Sequence, residues 1–177
     1  GTSIYSAEAA KDVLWRDASE LTIECKGWSD TPSFFSRLPA RAKESVPEGV
    51  WGLSLNTAGI VVRFVSDAPW IRARWRLTGA TLAMNHMAAT GVSGLDLYLR
   101  HKGSWRWLGV GRPEAQENLF PLVSGLSAEN REFALYLPLY NGVTKLELGI
   151  PPGSSIKPAT SRAAAKPVVF YGTSITH

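Results

Sequence analysis

Short segments in which apolar and polar residues alternate, each closed by Gly, Asn, Pro or Ser, constrain this chain more than any other feature. In Ile71-Arg72-Ala73-Arg74-Trp75-Arg76-Leu77 a period of two puts Ile, Ala, Trp and Leu on one face and three arginines on the other. A helix would scatter the same residues around its surface. Similar segments at 21–25, 50–54, 60–65, 95–100, 105–110, 131–140 and 144–150 read as strands. No long stretch carries the three-to-four spacing of an amphipathic helix, and only residues 40–45, closed by Pro47, read as a helical turn. The expected fold is therefore all-β, an antiparallel sandwich of jelly-roll type.

Turn chemistry orders these strands. Asn56-Thr57-Ala58-Gly59 and His101-Lys102-Gly103-Ser104 read as hairpin turns, and Asn141-Gly142 is the strongest short hairpin signal in the chain. Residues 78–93 form a long connection, residues 28–39 a loop, and the stretch to Trp15 an arm. Seven Trp against two Met suit pleated surfaces and flat contact faces.

The formal charge of +4 does not indicate a nucleic-acid partner, because the basic residues are scattered and several lie on solvated strand faces. No apolar run reaches membrane-spanning length. Cys25 is the single cysteine, so no disulfide can form within the chain. Three His and one Cys make a transition-metal site unexpected, and no cofactor is implied; oxygen ligands leave a calcium site open. No signal peptide is visible, yet Gly1 stands where an initiator Met would, as after removal of a leader. Localisation stays open, leaning to the extracellular or periplasmic side.

Composition changes after Ile150. Pro, Ser and Ala dominate 151–167, which reads as a linker between a sandwich over 1–150 and a second unit beginning at 168. Val168-Val169-Phe170-Tyr171 is continuously apolar, as in a strand buried on both faces of a parallel sheet, and needs strand neighbours on both sides. It runs into Gly172-Thr173-Ser174-Ile175-Thr176. Such a turn delivers a hydroxyl to the carboxyl edge of a sheet, where a following helix could stabilise an oxyanion. On spacing alone, Ser174 could equally be an ordinary helix N-cap.

This segment resembles the first conserved block of the SGNH/GDSL hydrolases, a hydrophobic strand followed by Gly-Asp-Ser-Ile-Thr, with Thr173 in place of the usual acid. Upstream, Gly94-Leu95-Asp96-Leu97-Tyr98 matches the Gly-x-Asp-Leu-Tyr signature of the β-sandwich that precedes one branch of these enzymes. Residues 89–93 and 137–143 look similar to that branch too, so the resemblance spans residues 35–177. It implies an accessory sandwich and the nucleophile loop of a bacterial carboxylic-ester hydrolase or acyltransferase, with Ser174 as nucleophile. An acylated, for instance acetylated, carbohydrate is the implied substrate. The resemblance places the family's acid, histidine and further oxyanion donors in later segments, so this chain alone is expected to be inactive. His177, three residues past Ser174, lacks an identifiable acid to orient it and reads as a helix-surface residue.

Further candidates sit in the sandwich. Asn85 and His86, in the long connection, could reach substrate, or His86 could be a hydrogen-bonded structural residue. Asp96 and Tyr98 share a strand face and are expected to secure the 78–93 connection, or else to meet substrate or the catalytic domain. Trp105 and Trp107 share a face and could stack on a sugar, though packing is the expected role of at least one. The alternatives to an accessory domain are a stand-alone carbohydrate-binding module and a protein-interaction sandwich.

Overall fold

A computed structural model describes residues 13–161 together with Val168 and Val169. In chain order the strands are β1 (Leu14–Asp17), β2 (Thr22–Glu24), β3 (Val61–Ser66), β4 (Trp70–Leu77) and β5 (Leu95–His101). They continue with β6 (Ser104–Gly111), β7 (Glu117–Ser124), β8 (Arg131–Tyr136), β9 (Val143–Ile150) and β10 (Ile156–Pro158). Two short helices interrupt them, α1 (Glu48–Ser54) and α2 (Ala89–Ser93).

One sheet has the order β1-β9-β4-β7, the other β10-β3-β8-β5-β6, with β2 also on β3. Every pairing is antiparallel. The alternation read from sequence explains how the sheets face each other. Ile71, Ala73, Trp75 and Leu77 of β4 meet Val62, Phe64, Leu97 and Leu135 of the opposite sheet in one buried cluster. Phe64 and Phe133 stack at its centre, 5.2 Å between ring centroids. The molecule is thus the antiparallel β-sandwich that the sequence predicts.

Several segments differ from expectation, among them the end of the expected arm, where Leu14–Asp17 forms β1 on β9. Residues 50–54 lie in α1, not in a strand. Pro47 fixes the entry φ at -55° and Glu48 sits in the first turn, where the helix dipole favours a negative charge. The 56–59 turn accordingly joins a helix to β3. Asn141-Gly142 does not close a hairpin, because β8 and β9 belong to different sheets and the segment crosses between them. Strand β7 contains Pro121, a breaker in a central strand but tolerated here at a sheet edge.

The start of the stretch expected as linker is fastened to the sandwich. β10 pairs with Phe64–Ser66, end to end with β2 on the same edge of β3. The Ser66 hydroxyl donates to the Ser155 carbonyl at 2.8 Å, and the Ser155 amide donates to Asp67 at 2.7 Å. That amide holds the Asp67 carboxyl below its usual range. Val168 and Val169 are 78% and 82% exposed. The rest of the apolar run, with Ser174 and His177, lies outside the described residues.

On the outer face of the first sheet Arg74 makes a bidentate bond to Glu147, at 2.5 and 2.7 Å, and its guanidinium lies 4.3 Å from the Trp15 ring centroid. Only a glycine at 149 lets Trp15 lie there, since a Cβ would come within 2.7 Å of its ring. Hydrogen bonding by Arg74, then by Lys145, holds the Glu147 carboxyl below the usual range despite partial burial. A depressed native value means that the stabilisation is full above the unfolded carboxylate value, about 4.3. It is lost as pH falls through the native one. Denaturant titrations should therefore find Glu147→Gln less stable than the parent at about pH 7, and the difference should shrink below about pH 4. A difference independent of pH would contradict this.

Candidate functional site

The crossover from β8 to β9 organises one end of the sandwich. Asn141 is buried, and its side-chain oxygen accepts from the amides of Gly79 and Gly142, both at 2.9 Å. Its amide group donates to the carbonyls of Gly79 (3.1 Å) and Thr81 (3.4 Å) and to the Ser93 hydroxyl (3.1 Å). One side chain thereby ties together both ends of the 78–93 connection. The Tyr140 amide adds a bond to the Val92 carbonyl at 3.0 Å. Gly142 permits the crossing, because a Cβ there would come within 2.4 Å of the Thr78 hydroxyl and 2.7 Å of the Leu55 carbonyl.

The end of that connection is α2, which packs tightly against the start of β5. A Cβ at Gly94 would lie 2.3 Å from the Thr90 carbonyl oxygen, so the first position of Gly94-Leu95-Asp96-Leu97-Tyr98 must be bare. Leu95 and Leu97 are fully buried in the core, which turns Asp96 and Tyr98 to the outer face. A shift of register between Leu97 and Tyr98 in the pairing with β6 brings Trp107 opposite Tyr98. The Trp107 indole N–H donates to Asp96 at 3.1 Å. Tyr98 meets Tyr136 of β8 edge to face, centroids 5.4 Å apart.

Beside these rings is an open cleft of about 290 Å³. Tyr98, Trp105, Tyr136 and Asp96 form one side; Leu137, Leu139, Thr90 and Gly91 complete it. Every element of the signature therefore has a place: Gly94 admits α2, the two leucines anchor the strand, and Asp96 and Tyr98 face the cleft.

The family model described as GxDLY, the N-terminus of SGNH-hydrolase-type esterases, matches residues 13–156, well over half of the chain. The chain belongs to the GxDLY family. No curated protein matches it. Among solved structures, the GxDLY sandwich is similar to a protein from Bacteroides ovatus ATCC 8483 assigned as a GDSL-like lipase. Identity is 28%, the TM-score is 0.80, and the match covers 84% of this chain and 44% of that one. This chain therefore spans less than half the length of that protein. The salicylyl-acyltransferase SsfX3 from a tetracycline biosynthetic pathway is 19% identical over 86% of this chain and 40% of its own, with a TM-score of 0.49. That likeness is too distant to bear on the site.

Beneath the aromatic side of the GxDLY cleft lies a chain of charges. Arg63 of β3, 3% exposed, bonds Glu24 on one side and Glu132 on the other, and Arg100 reaches Glu132 at 3.3 Å. Trp105 lies near both guanidiniums, with centroid distances of 6.0 Å to Arg63 and 5.9 Å to Arg100. Among the described residues Asp96 has no cationic partner, and no group of three His, Cys, Asp or Glu is placed to hold a metal.

The residues singled out from sequence do not all converge. Asn85 and His86 occupy the exposed tip of a tight turn closed by paired backbone bonds between Met84 and Met87, at 3.0 and 3.2 Å. They do not line the cleft, although Thr90 and Gly91 of the same connection do. Securing the connection falls to Asn141 and not to Asp96, whose bond goes to Trp107. Trp105 and Trp107 divide their roles: Trp105 is half-buried and faces the cleft, while Trp107 is 58% exposed beside it. The sequence marks Asn141 only as part of a turn, and its motifs do not mark Arg63 or Tyr136. A charged residue within the apolar run Val61-Val62-Arg63-Phe64-Val65 was the available signal for Arg63.

Truncating Asn141 would leave several backbone groups and the Ser93 hydroxyl unpaired. Asn141→Ala should cost about 3 kcal/mol of unfolding free energy. Asn141→Asp, which turns a buried carboxylate towards the Gly79 and Thr81 carbonyls, should cost at least as much at about pH 7. Denaturant unfolding checks this order, and a parent-like midpoint for Asn141→Ala would refute it.

Proposed function

We propose that this chain is the accessory sandwich and nucleophile loop of a serine esterase, with Ser174 attacking the acyl carbonyl of an ester. The observation that carries this reading is the order of two motifs. The GxDLY signature at 94–98 is followed, after a Pro- and Ala-rich stretch, by an apolar run and Gly172-Thr173-Ser174-Ile175-Thr176.

In this reading the Ser174 hydroxyl adds to the carbonyl carbon, and the negative charge that develops on the carbonyl oxygen is met by backbone N–H groups, including that of Ser174. The alcohol leaves, and water then releases the acid from the acyl-serine. The base that takes the Ser174 proton belongs to a segment beyond the GxDLY sandwich. The linker and second-unit boundaries at 151–167 and 168–177 form part of the same proposal. So does an acylated carbohydrate as substrate, which the aromatic cleft supports. Asn85 and His86, at an exposed tip, would meet such a substrate only across the boundary with the catalytic unit.

The test uses a protein in which this chain is joined to its hydrolase domain, with p-nitrophenyl acetate as substrate. Ser174→Ala should lower kcat/KM by about a thousandfold or more. The 177-residue chain alone should stay at background. Unimpaired turnover by the Ser174→Ala enzyme would remove the proposal's nucleophile.

A further inference from the structure

We infer that the cleft between β5, β8 and α2 is a subsite for one neutral sugar ring, held by stacking on its aromatic side and by hydroxyl donation to Asp96. It deepens the esterase reading by assigning the alcohol part of the ester to the sandwich, and only that assignment rests on the esterase reading.

The chemistry of the walls disfavours an anion and a purely apolar group. An anion would approach the half-buried carboxylate of Asp96, which no cation neutralises among the described residues. A purely apolar group would cover that carboxylate and leave its remaining acceptor capacity unmet. A cation could face both the rings and Asp96, because the charges of Arg63 and Arg100 near Trp105 are paired with Glu24 and Glu132, and choline in the titration below separates that class from a neutral sugar. The walls are met most fully by a group with a flat apolar face and several hydroxyl donors, which covers the rings and uses the remaining acceptor capacity of Asp96. A pyranose ring has both: its C–H face stacks on Tyr or Trp, and its hydroxyls donate to a carboxylate. A volume of about 290 Å³ sits at the low end for ligand pockets, the scale of one ring and not of an oligosaccharide.

The aromatic groups are also fixed in advance. Trp107 is held by its bond to Asp96, Tyr98 and Tyr136 hold each other, and Trp105 rests near two ion-paired arginines. Little rotamer freedom is left to lose on binding, as suits a site whose ligand offers few contacts.

The experiment is an NMR titration of the ¹⁵N-labelled full chain with cellobiose and with xylobiose, following the indole N–H signals of the seven Trp. Saturable shifts confined to Trp105 and Trp107, with a dissociation constant on the order of millimolar, are expected for at least one of the two sugars. Asp96→Asn, nearly isosteric and still able to accept from Trp107, should weaken binding about tenfold; Tyr98→Leu should weaken it comparably. Dispersed indole signals in each variant report that it is folded. If a variant does not fold, the shift map of the parent chain still decides. No saturable shift, shifts at other tryptophans, or equal shifts with choline chloride would each overturn the inference. Binding by a chain whose longer form lacks Ser174-dependent esterase activity would leave the subsite standing and remove the esterase reading. An active esterase whose sandwich binds no sugar would do the reverse.

Discussion

The side-chain amide of Asn141 is the interaction on which this end of the sandwich depends. It stands where the chain passes from one sheet to the other, and it satisfies backbone groups of a connection more than sixty residues away in sequence. Peptide groups in a loop that lies against a core must find partners, and here one buried amide supplies them at Gly79 and Thr81 and bonds the Ser93 hydroxyl at the other end of the loop. The position of α2 follows from that anchorage. The need for Gly94 follows from the position of α2, and the outward direction of Asp96 and Tyr98 follows from the strand that Gly94 begins. The GxDLY signature is thus the sequence trace of a packing constraint as well as of a cleft.

Much of the sandwich was legible because its strands alternate strictly. Arg72, Arg74 and Arg76 could face water only if Ile71, Ala73 and Trp75 faced the core, and they do. Legibility failed where local pattern and tertiary context compete. Five residues at 50–54 carry no decisive period, and the helix follows from Pro47 and Glu48. Strand β7 hides behind Pro121, which only an edge position tolerates. Asn141-Gly142 has the composition of a hairpin turn, and nothing local reveals that its flanking strands join different sheets. The same limit applies to the site. The signature placed Asp96 and Tyr98 on one strand face, but Tyr136 and Arg63 reach that face through pairing with distant strands.

The electrostatics of that face divide cleanly. Arg63, Glu24, Glu132 and Arg100 neutralise one another under Trp105, so the buried arginine does not present its charge to the cleft. Asp96 is left as the charged group lining it, with one indole bond already made. A rigid aromatic wall beside a single carboxylate recognises shape and hydroxyls more than charge. In the proposed esterase this would give the sandwich a part in selecting the alcohol portion of the ester.

The crossover and the 78–93 connection form one unit with the core. Native-state hydrogen exchange at the Gly79 and Gly142 amides, followed across sub-denaturing denaturant, tests it most directly. Both amides donate to Asn141, so both should exchange only through global unfolding, with the denaturant dependence of core amides in β3 and β4. Exchange of either through a local opening that hardly responds to denaturant, while those core amides stay protected, would contradict the account.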